Sequence, residues 1–228
     1  MAIIKFLGHS AFDIVLTGLD GVEKHILIDP WLENPLSPVK PIDYKNVELH
    51  YILVTHDHGD HLGNALEIAK YTGAKIVGVY ELATYVKQHG LEAIDGNIGG
   101  RLNISDLEIV MTPANHSSSR GPPVGFIVRG RDVTLYHAGD TGLFSEMELI
   151  GELYSPEIAL LPIGGHYTMG IREAVKAVEL INPRIVIPMH YNTFPVIKAD
   201  PYKFKELVES LTPARVVVLN PGESFTYP

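Results

Sequence analysis

The sequence predicts an α/β fold in which short strands alternate with amphipathic helices that pack against a sheet. Its 228 residues, 46% of them hydrophobic and 20% charged, suffice for a sizeable buried core. Each half of the chain opens with a strand-rich run and continues with strands separated by helical segments. Because no linker or low-complexity tract divides the halves, we expect one domain over residues 1–228.

The first half is predicted to begin as a strand meander. Strands are expected at 3–7, 12–16 and 25–28, with a hairpin turn at Leu19-Asp20-Gly21. Three prolines between residues 31 and 41 then mark a loop. A buried strand at 51–54 precedes a helix that starts at His61, and Gly73 stops that helix before a strand at 75–79 and a second helix at 81–88.

The second half repeats this organisation with other residues. Its strands are predicted near 107–111, 126–128, 133–136, 158–161, 185–188 and 216–219. Two amphipathic helices separate the last three strands, the first running over 171–181 and the second over 204–211. Asp200 and Pro201 supply an N-cap and a first-turn proline for the second of these helices.

Composition excludes several classes of function. The formal net charge of −9 does not suit a phosphate backbone, so nucleic acid is not an expected partner. The absence of cysteine removes disulfides, thiolate metal sites and cysteine nucleophiles, and fits a reducing cytoplasm. Neither a signal peptide nor a long apolar span is recognisable, so we expect a cytoplasmic protein without a membrane partner.

The strongest functional signal is the run from Thr55 to His61, Thr-His-Asp-His-Gly-Asp-His, between a predicted strand and a predicted helix. His56 and His58, two residues apart in extended chain, point the same way. Gly59 allows a sharp turn, after which Asp60 and His61 project from the start of the helix. Imidazole and carboxylate together form a ligand set for zinc, and one that manganese, iron or cobalt also accepts.

Three further residues with suitable side chains each lie just past a predicted strand. They are His116, Asp140 and His190. Taken alone, each is more often a loop residue than a ligand, but the strand ends of a sheet can bring them to the same edge as the first motif.

With these residues in place, the chain resembles the metallo-β-lactamase superfamily, and within it the small metal-dependent hydrolases similar to ascorbate-6-phosphate lactonase. The matching segments span the chain: 6–12, 28–30, the run 55–61 (the metal motif), 138–141 and 162–165. The resemblance implies a four-layer αββα sandwich, with two mixed β-sheets flanked by helices. It also implies two divalent metal ions, foremost Zn²⁺, with Mn²⁺, Fe²⁺, Co²⁺ or Ni²⁺ as alternatives. His56, His58 and His116 would hold one ion, Asp60, His61 and His190 the other, and Asp140 would bridge them.

We therefore expect a binuclear hydrolase that uses a metal-bridged hydroxide on a small, anionic ester or lactone. The alternatives are a phosphodiesterase acting on lipid or nucleotide substrates and a non-catalytic metal-binding module. His58 stands where the flavodiiron branch carries Glu, which disfavours a redox centre. Whether the chain forms a homo-oligomer is left open.

Residues beyond the ligand set are assigned weaker roles. Besides Asp60, the catalytic candidates are His9 and His166, each as proton donor or substrate binder. Asp29 is expected to orient a ligand histidine from behind. Asp57 is either a proton shuttle or a turn residue, and Arg120 either anchors a phosphate or belongs to a surface loop.

Overall fold

The computed structural model describes residues 1–104 and 106–228, and this part of the chain forms fourteen strands. In chain order they are β1 (Ala2–Phe6), β2 (Phe12–Thr17), β3 (Glu23–Ile28), β4 (Tyr51–Leu53), β5 (Lys75–Val79), β6 (Ala93–Gly96), β7 (Arg101–Ile104), β8 (Leu107–Pro113), β9 (Val124–Arg129), β10 (Thr134–His137), β11 (Ile158–Pro162), β12 (Ile185–Met189), β13 (Arg215–Val216) and β14 (Ser224–Tyr227).

The strands form two seven-stranded mixed sheets of matching design. The first has the order β14-β1-β2-β3-β4-β5-β6, and the second the order β13-β12-β11-β10-β9-β8-β7. In the first sheet the pairs from β14 to β3 are antiparallel and those from β3 to β6 are parallel. The second sheet is likewise antiparallel from β7 to β10 and parallel from β10 to β13.

Helices cover the outer faces of both sheets. They are α1 (Gly59–Leu62), α2 (Ala65–Thr72), α3 (Tyr80–Gln88), α4 (Met147–Tyr154), α5 (Ile171–Ile181) and α6 (Pro201–Leu211). Helices α2 and α3 pack on the parallel part of the first sheet, whereas α4, α5 and α6 pack together on the second. This arrangement confirms the expected sandwich of two mixed sheets between helical layers. Within the described residues, no helix qualifies as a membrane-spanning segment.

Strand β8 shows how the sequence divides the core between the layers. Ile109 and Met111 belong to the apolar cluster that also contains the strands of the first sheet. Val110, between them, joins the cluster formed with α4, α5 and α6. Because successive side chains of a strand point to opposite faces, one apolar run fills two layers.

The single helix predicted from His61 onwards is wrong, because the chain breaks it at Gly63. That residue has φ +41°, and a Cβ built on it would lie 2.6 Å from the Cα of Trp31. Asn64 secures the break, since its N–H donates to the carbonyl of Pro30 (2.9 Å) and its Oδ1 accepts from the N–H of Leu32 (2.9 Å). The metal motif therefore ends in a one-turn helix, α1, tied to the loop after β3.

Other differences concern short or half-exposed elements. The sequence reasoning missed β6, β7, β14 and α4, and the strand expected at 216–219 is only Arg215–Val216. In α4, Leu149 and Leu153 are exposed while Met147 and Ile150 are buried, so its pattern lacks a clear polar face. The remaining strands lie within a few residues of their predicted bounds.

Candidate metal centre

The candidate ligands lie at the ends of four strands. His56 to His61 follow β4, His116 follows β8, Asp140 follows β10 and His190 follows β12. Strands from both sheets thus deliver polar side chains to one edge of the sandwich. A turn after a buried strand can fix such side chains because the strand itself is held by the core.

Three histidines form the first cluster. His56, His58 and His116 each offer a ring nitrogen, and these atoms all lie within 4.8 Å of one another. The Nε2 of His56 is 2.9 Å from the Nδ1 of His58, so both rings face the same point. The Nδ1 of His56 lies 3.0 Å from the hydroxyl of Thr55, which leaves its Nε2 for the cluster.

A second cluster contains the other expected residues and one addition. Asp60, His61 and His190 lie within the same 4.8 Å limit, together with His9. The sequence reasoning placed His9 in the site but outside the ligand set.

Asp140 lies between the two clusters. Its Oδ2 is 2.9 Å from the Nε2 of His190, 3.2 Å from that of His61 and 3.6 Å from that of His116. Asp140 also groups with His56 and His61, which ties the first cluster to the second. One carboxylate oxygen therefore faces imidazoles from three separate loops.

The hydrogen bonding of these buried atoms tests whether cations fit the site. Among the described residues, Asp140 Oδ1 is buried without a hydrogen-bond partner, and the buried Nε2 of His61 makes no well-aligned hydrogen bond although it lies 3.2 Å from Asp140 Oδ2. Leaving such atoms unpaired costs about 1–3 kcal/mol each. Because both belong to the clusters and both are good ligands of divalent metals, the residues present fit metal ions.

The candidate ligands differ in protonation in the metal-free chain. Burial opposes a charge on His61, but the carboxylates of Asp140 and Asp29 raise its pKa well above the usual value, so this ring must lose a proton to bind a metal ion. Burial lowers the pKa of His56 to about 3, so its ring is neutral and keeps a free lone pair. Burial acts to raise the pKa of Asp140, but the charges of His61 and His190 outweigh it and hold this pKa well below its usual range. The carboxylate is thus ionised, as a metal ligand must be.

Asp29 supports the site from behind, as the sequence suggested. Its Oδ1 accepts from the N–H of Thr55 (2.8 Å), and its Oδ2 accepts from the Thr55 hydroxyl (2.7 Å). The same Oδ2 lies 2.7 Å from the Nδ1 of His61. The carboxylate therefore keeps the proton of His61 on Nδ1 and turns Nε2 towards Asp140.

His9 is fully buried and does not line the cavity at the site. Its Nε2 lies 3.0 Å from Oδ2 of Asp60, and its Nδ1 lies 3.0 Å from the hydroxyl of Thr193. Burial lowers the pKa of His9 to about 4, although the hydrogen bond to Asp60 opposes this shift. A neutral ring that donates through Nε2 orients Asp60 rather than reaching a substrate.

His166 lies on the surface of the loop before α5, with its ring 4.4 Å from that of Tyr167. Tyr167 lines the cavity, whereas His166 does not. The structure thus places His166 at the rim and outside both clusters.

Asp57 and Arg120 pair with each other instead of facing the cavity. Asp57 accepts from the guanidinium of Arg120 (2.7 Å), the N–H of Ser119 (2.8 Å) and the hydroxyl of Ser118 (2.9 Å). The guanidinium also lies 4.1 Å above the ring of Tyr85. Arg120 therefore anchors the loop after His116 to the metal motif.

A cavity of about 270 Å³ opens over the clusters. The residues that line it are His58, Asp60, His116, Ser117, Asp140, Tyr167, His190 and Phe194. Sequence reasoning missed Phe194, whose only signal is its place four residues after His190 in the same loop. A larger cavity of about 490 Å³ lies between the ends of α4 and α5, away from these residues.

Comparison with known proteins agrees with this geometry. Residues 24–191 match the Beta-lactamase superfamily domain. A UPF0173 metal-dependent hydrolase from Staphylothermus marinus is 74% identical over all 228 residues, and one from Thermofilum pendens is 63% identical, with full coverage of both chains in each case. A novel metallo hydrolase from the archaeon Ignicoccus hospitalis superposes with TM-score 0.92 at 48% identity, covering 100% of this chain and 99% of that one.

Proposed function

The chain belongs to the β-lactamase superfamily of metal-dependent hydrolases, and from this premise we propose that it hydrolyses a small ester or lactone at a site holding two divalent ions, foremost zinc. The observation that carries the proposal is the place of Asp140 between two ligand clusters. Three histidines lie on one side of it, and Asp60, His61 and His190 on the other.

When bound, such ions supply Lewis acidity and a water whose pKa is lowered towards neutrality. The residues of the chain then hold the proposed ligands in position for the reaction. Asp29 holds His61 in one tautomer, and His9 holds Asp60. Because these supporting groups are buried, the ligand geometry is set before a substrate arrives.

The cavity limits the substrate. Its volume of about 270 Å³ lies just below the usual range for ligand pockets, about 300–1,000 Å³, which favours a small substrate. None of its lining residues, all within the described chain, is Lys or Arg. The negative charge expected for the substrate would therefore be balanced by the bound ions alone.

A leaving group that needs a proton requires a donor near the cavity. His166 is proposed for this role or for binding the substrate, since it sits at the rim beside Tyr167. His9 reaches the reaction only through Asp60.

The test is metal content together with hydrolysis. Protein reconstituted with zinc should carry close to two ions per chain by elemental analysis and should hydrolyse members of a panel of lactones, esters, thioesters and phosphodiesters. Asp140→Ala should lose one or both ions and the activity, whereas Asp95→Ala, a surface carboxylate paired with Lys87, should match the parent. A fully loaded and active Asp140→Ala variant would refute the proposal. Selective cleavage of phosphodiesters would replace the ester or lactone with the alternative substrate class.

A further inference from the structure

The candidate ligands form the floor of the cavity, whereas its walls are largely aromatic. Five of the eight lining residues belong to the two clusters and Asp140, which leaves Ser117, Tyr167 and Phe194 as the remaining surface. Two of these three side chains are aromatic. We propose that the substrate carries an uncharged apolar group, about the size of a phenyl ring, that packs against Phe194 and Tyr167. This inference rests on the proposed function.

Phe194 is held in place before any ligand binds. Its ring stacks on that of Trp31, with centroids 5.7 Å apart and planes inclined by 27°, and it meets the ring of His9 edge-on at 5.4 Å. The preceding residue, Thr193, contacts the Nδ1 of His9. A fixed aromatic surface binds a ring with little loss of side-chain freedom.

The loop that carries Phe194 is closed on itself. The N–H of Asn192 donates to the carbonyl of Ile197 (2.9 Å), and Asn192 Oδ1 accepts from the N–H of Ala199 (3.1 Å). Ile197 is buried, while Val196 points to solvent. Phe194 thus faces the cavity from a braced loop.

Tyr167 supplies a second aromatic surface from another loop, the one between β11 and α5. It lies in a tight turn in which its N–H donates to the carbonyl of Gly165 (2.7 Å), and 54% of the residue is exposed. The N–H of Met169 fixes this turn to the carbonyl of Thr141 (2.9 Å), next to Asp140. An exposed ring beside a binding site gains burial only when a ligand covers it.

The charged residues near the cavity also favour an uncharged group on the substrate. Arg120, the cation of the neighbouring loop, is already engaged by Asp57 and by the ring of Tyr85. None of the described residues that line the cavity is Lys or Arg, so a carboxylate or phosphate at Phe194 would lose water without gaining a cationic side chain from the cavity wall. An uncharged group is therefore favoured at that end.

The experiment compares two inhibitors that share a metal-binding head. Benzohydroxamate and acetohydroxamate differ only by phenyl for methyl, and their binding to the zinc-loaded protein can be followed by calorimetry. The emission of Trp31, the single tryptophan of the chain, reports contact at Phe194 independently of turnover. We expect benzohydroxamate to bind about tenfold more tightly than acetohydroxamate, a preference typical of one buried ring.

Substitutions test whether the preference for benzohydroxamate comes from Phe194 and Tyr167. Phe194→Ala and Tyr167→Ala should each reduce it several-fold, with zinc content unchanged. Val196→Ala, an exposed apolar residue in the same loop, is the matched control and should keep it. If Phe194→Ala unfolds, Tyr167→Ala on the surface still decides the outcome.

Each result has a distinct meaning. Equal binding of the two hydroxamates by the parent would overturn this inference and leave the metal site standing. Tighter binding of 4-carboxybenzohydroxamate than of benzohydroxamate would overturn the uncharged character of the group. Failure of both hydroxamates to bind zinc-loaded protein that hydrolyses members of the substrate panel would overturn this inference alone. If that protein also hydrolyses none of the panel, the proposed function falls, and this inference with it.

Discussion

Replacement of Asp29 by Asn changes one atom in the support of the metal centre. The carboxylate accepts three hydrogen bonds, from Thr55 N–H at Oδ1 and from the Thr55 hydroxyl and His61 Nδ1 at Oδ2. An amide has one oxygen, so its NH₂ group must face either the Thr55 N–H or the Nδ1 of His61. In the second orientation His61 moves its proton to Nε2, the atom that the site needs free.

The size of the effect follows from these contacts. Asp29 and His61 are both fully buried, so water cannot replace the lost acceptor. Losing the partner of a ligand histidine costs about 10–100-fold in metal affinity, or about 1.4–2.7 kcal/mol. One unpaired buried donor further lowers the free energy of unfolding by about 1–3 kcal/mol.

Competition with a chelator measures the affinity, and thermal unfolding in excess chelator measures the stability of the metal-free chain. Asp13→Asn is the matched control, because Asp13 lies 2.6 Å from the Nε2 of His25 in a similar pair away from the site. Both variants should lose stability, but only Asp29→Asn should lose zinc affinity. Parent-like zinc affinity in Asp29→Asn would refute the role of Asp29 in fixing the tautomer of His61.

Three further predictions concern single residues. His9→Ala should weaken one of two zinc equivalents by about 10–100-fold in a chelator titration, because the carboxylate that its Nε2 faces is no longer oriented. His166→Ala should lower turnover about 10²-fold for esters with basic leaving groups while nitrophenyl esters and metal content are spared; equal loss for both substrates contradicts proton donation. Burial acts to raise the pKa of Asp132, but hydrogen bonds from the Met1 ammonium and Thr17 lower it overall. Its contribution to stability is therefore present above about pH 4 and lost as pH falls through its folded pKa. Asp132→Asn should be destabilised at pH 7 and approach the parent near pH 2 in denaturant titrations.

The sequence predicted those parts of the fold that rest on strong local patterns. Strand β5 has its predicted bounds, and the helices α5 and α6 follow from apolar periodicity with a clear cap at Asp200. Strand β14 was missed because its stability comes from pairing with β1, more than two hundred residues away in the chain. Such a pairing leaves no local pattern.

In the candidate site, too, the sequence reveals local patterns but not contacts between distant residues. The proposed ligand motif is compressed into residues 55–61, so its residue types and spacing are visible in the sequence alone. The pairing of Asp57 with Arg120 joins residues 63 positions apart, and the packing of Phe194 on Trp31 joins more distant ones. Contacts of this kind depend on the tertiary fold, so the sequence alone leaves open whether Arg120 anchors a phosphate or belongs to a surface loop, and it does not reveal the ion pair with Asp57.

Gly63 lies outside the candidate ligand set and the cavity lining, yet it affects the geometry of both. Its backbone follows α1 directly and lies against Trp31, which in turn supports Phe194. Any side chain at position 63 would displace both the end of the metal motif and Trp31, and with Trp31 the ring of Phe194 in the cavity wall. It would also be strained, because φ is +41° at this position. In a saturation mutagenesis library, position 63 should thus be as intolerant as a ligand. At this position, unlike at Phe194 or Tyr167 themselves, a single substitution would change metal retention and substrate preference together.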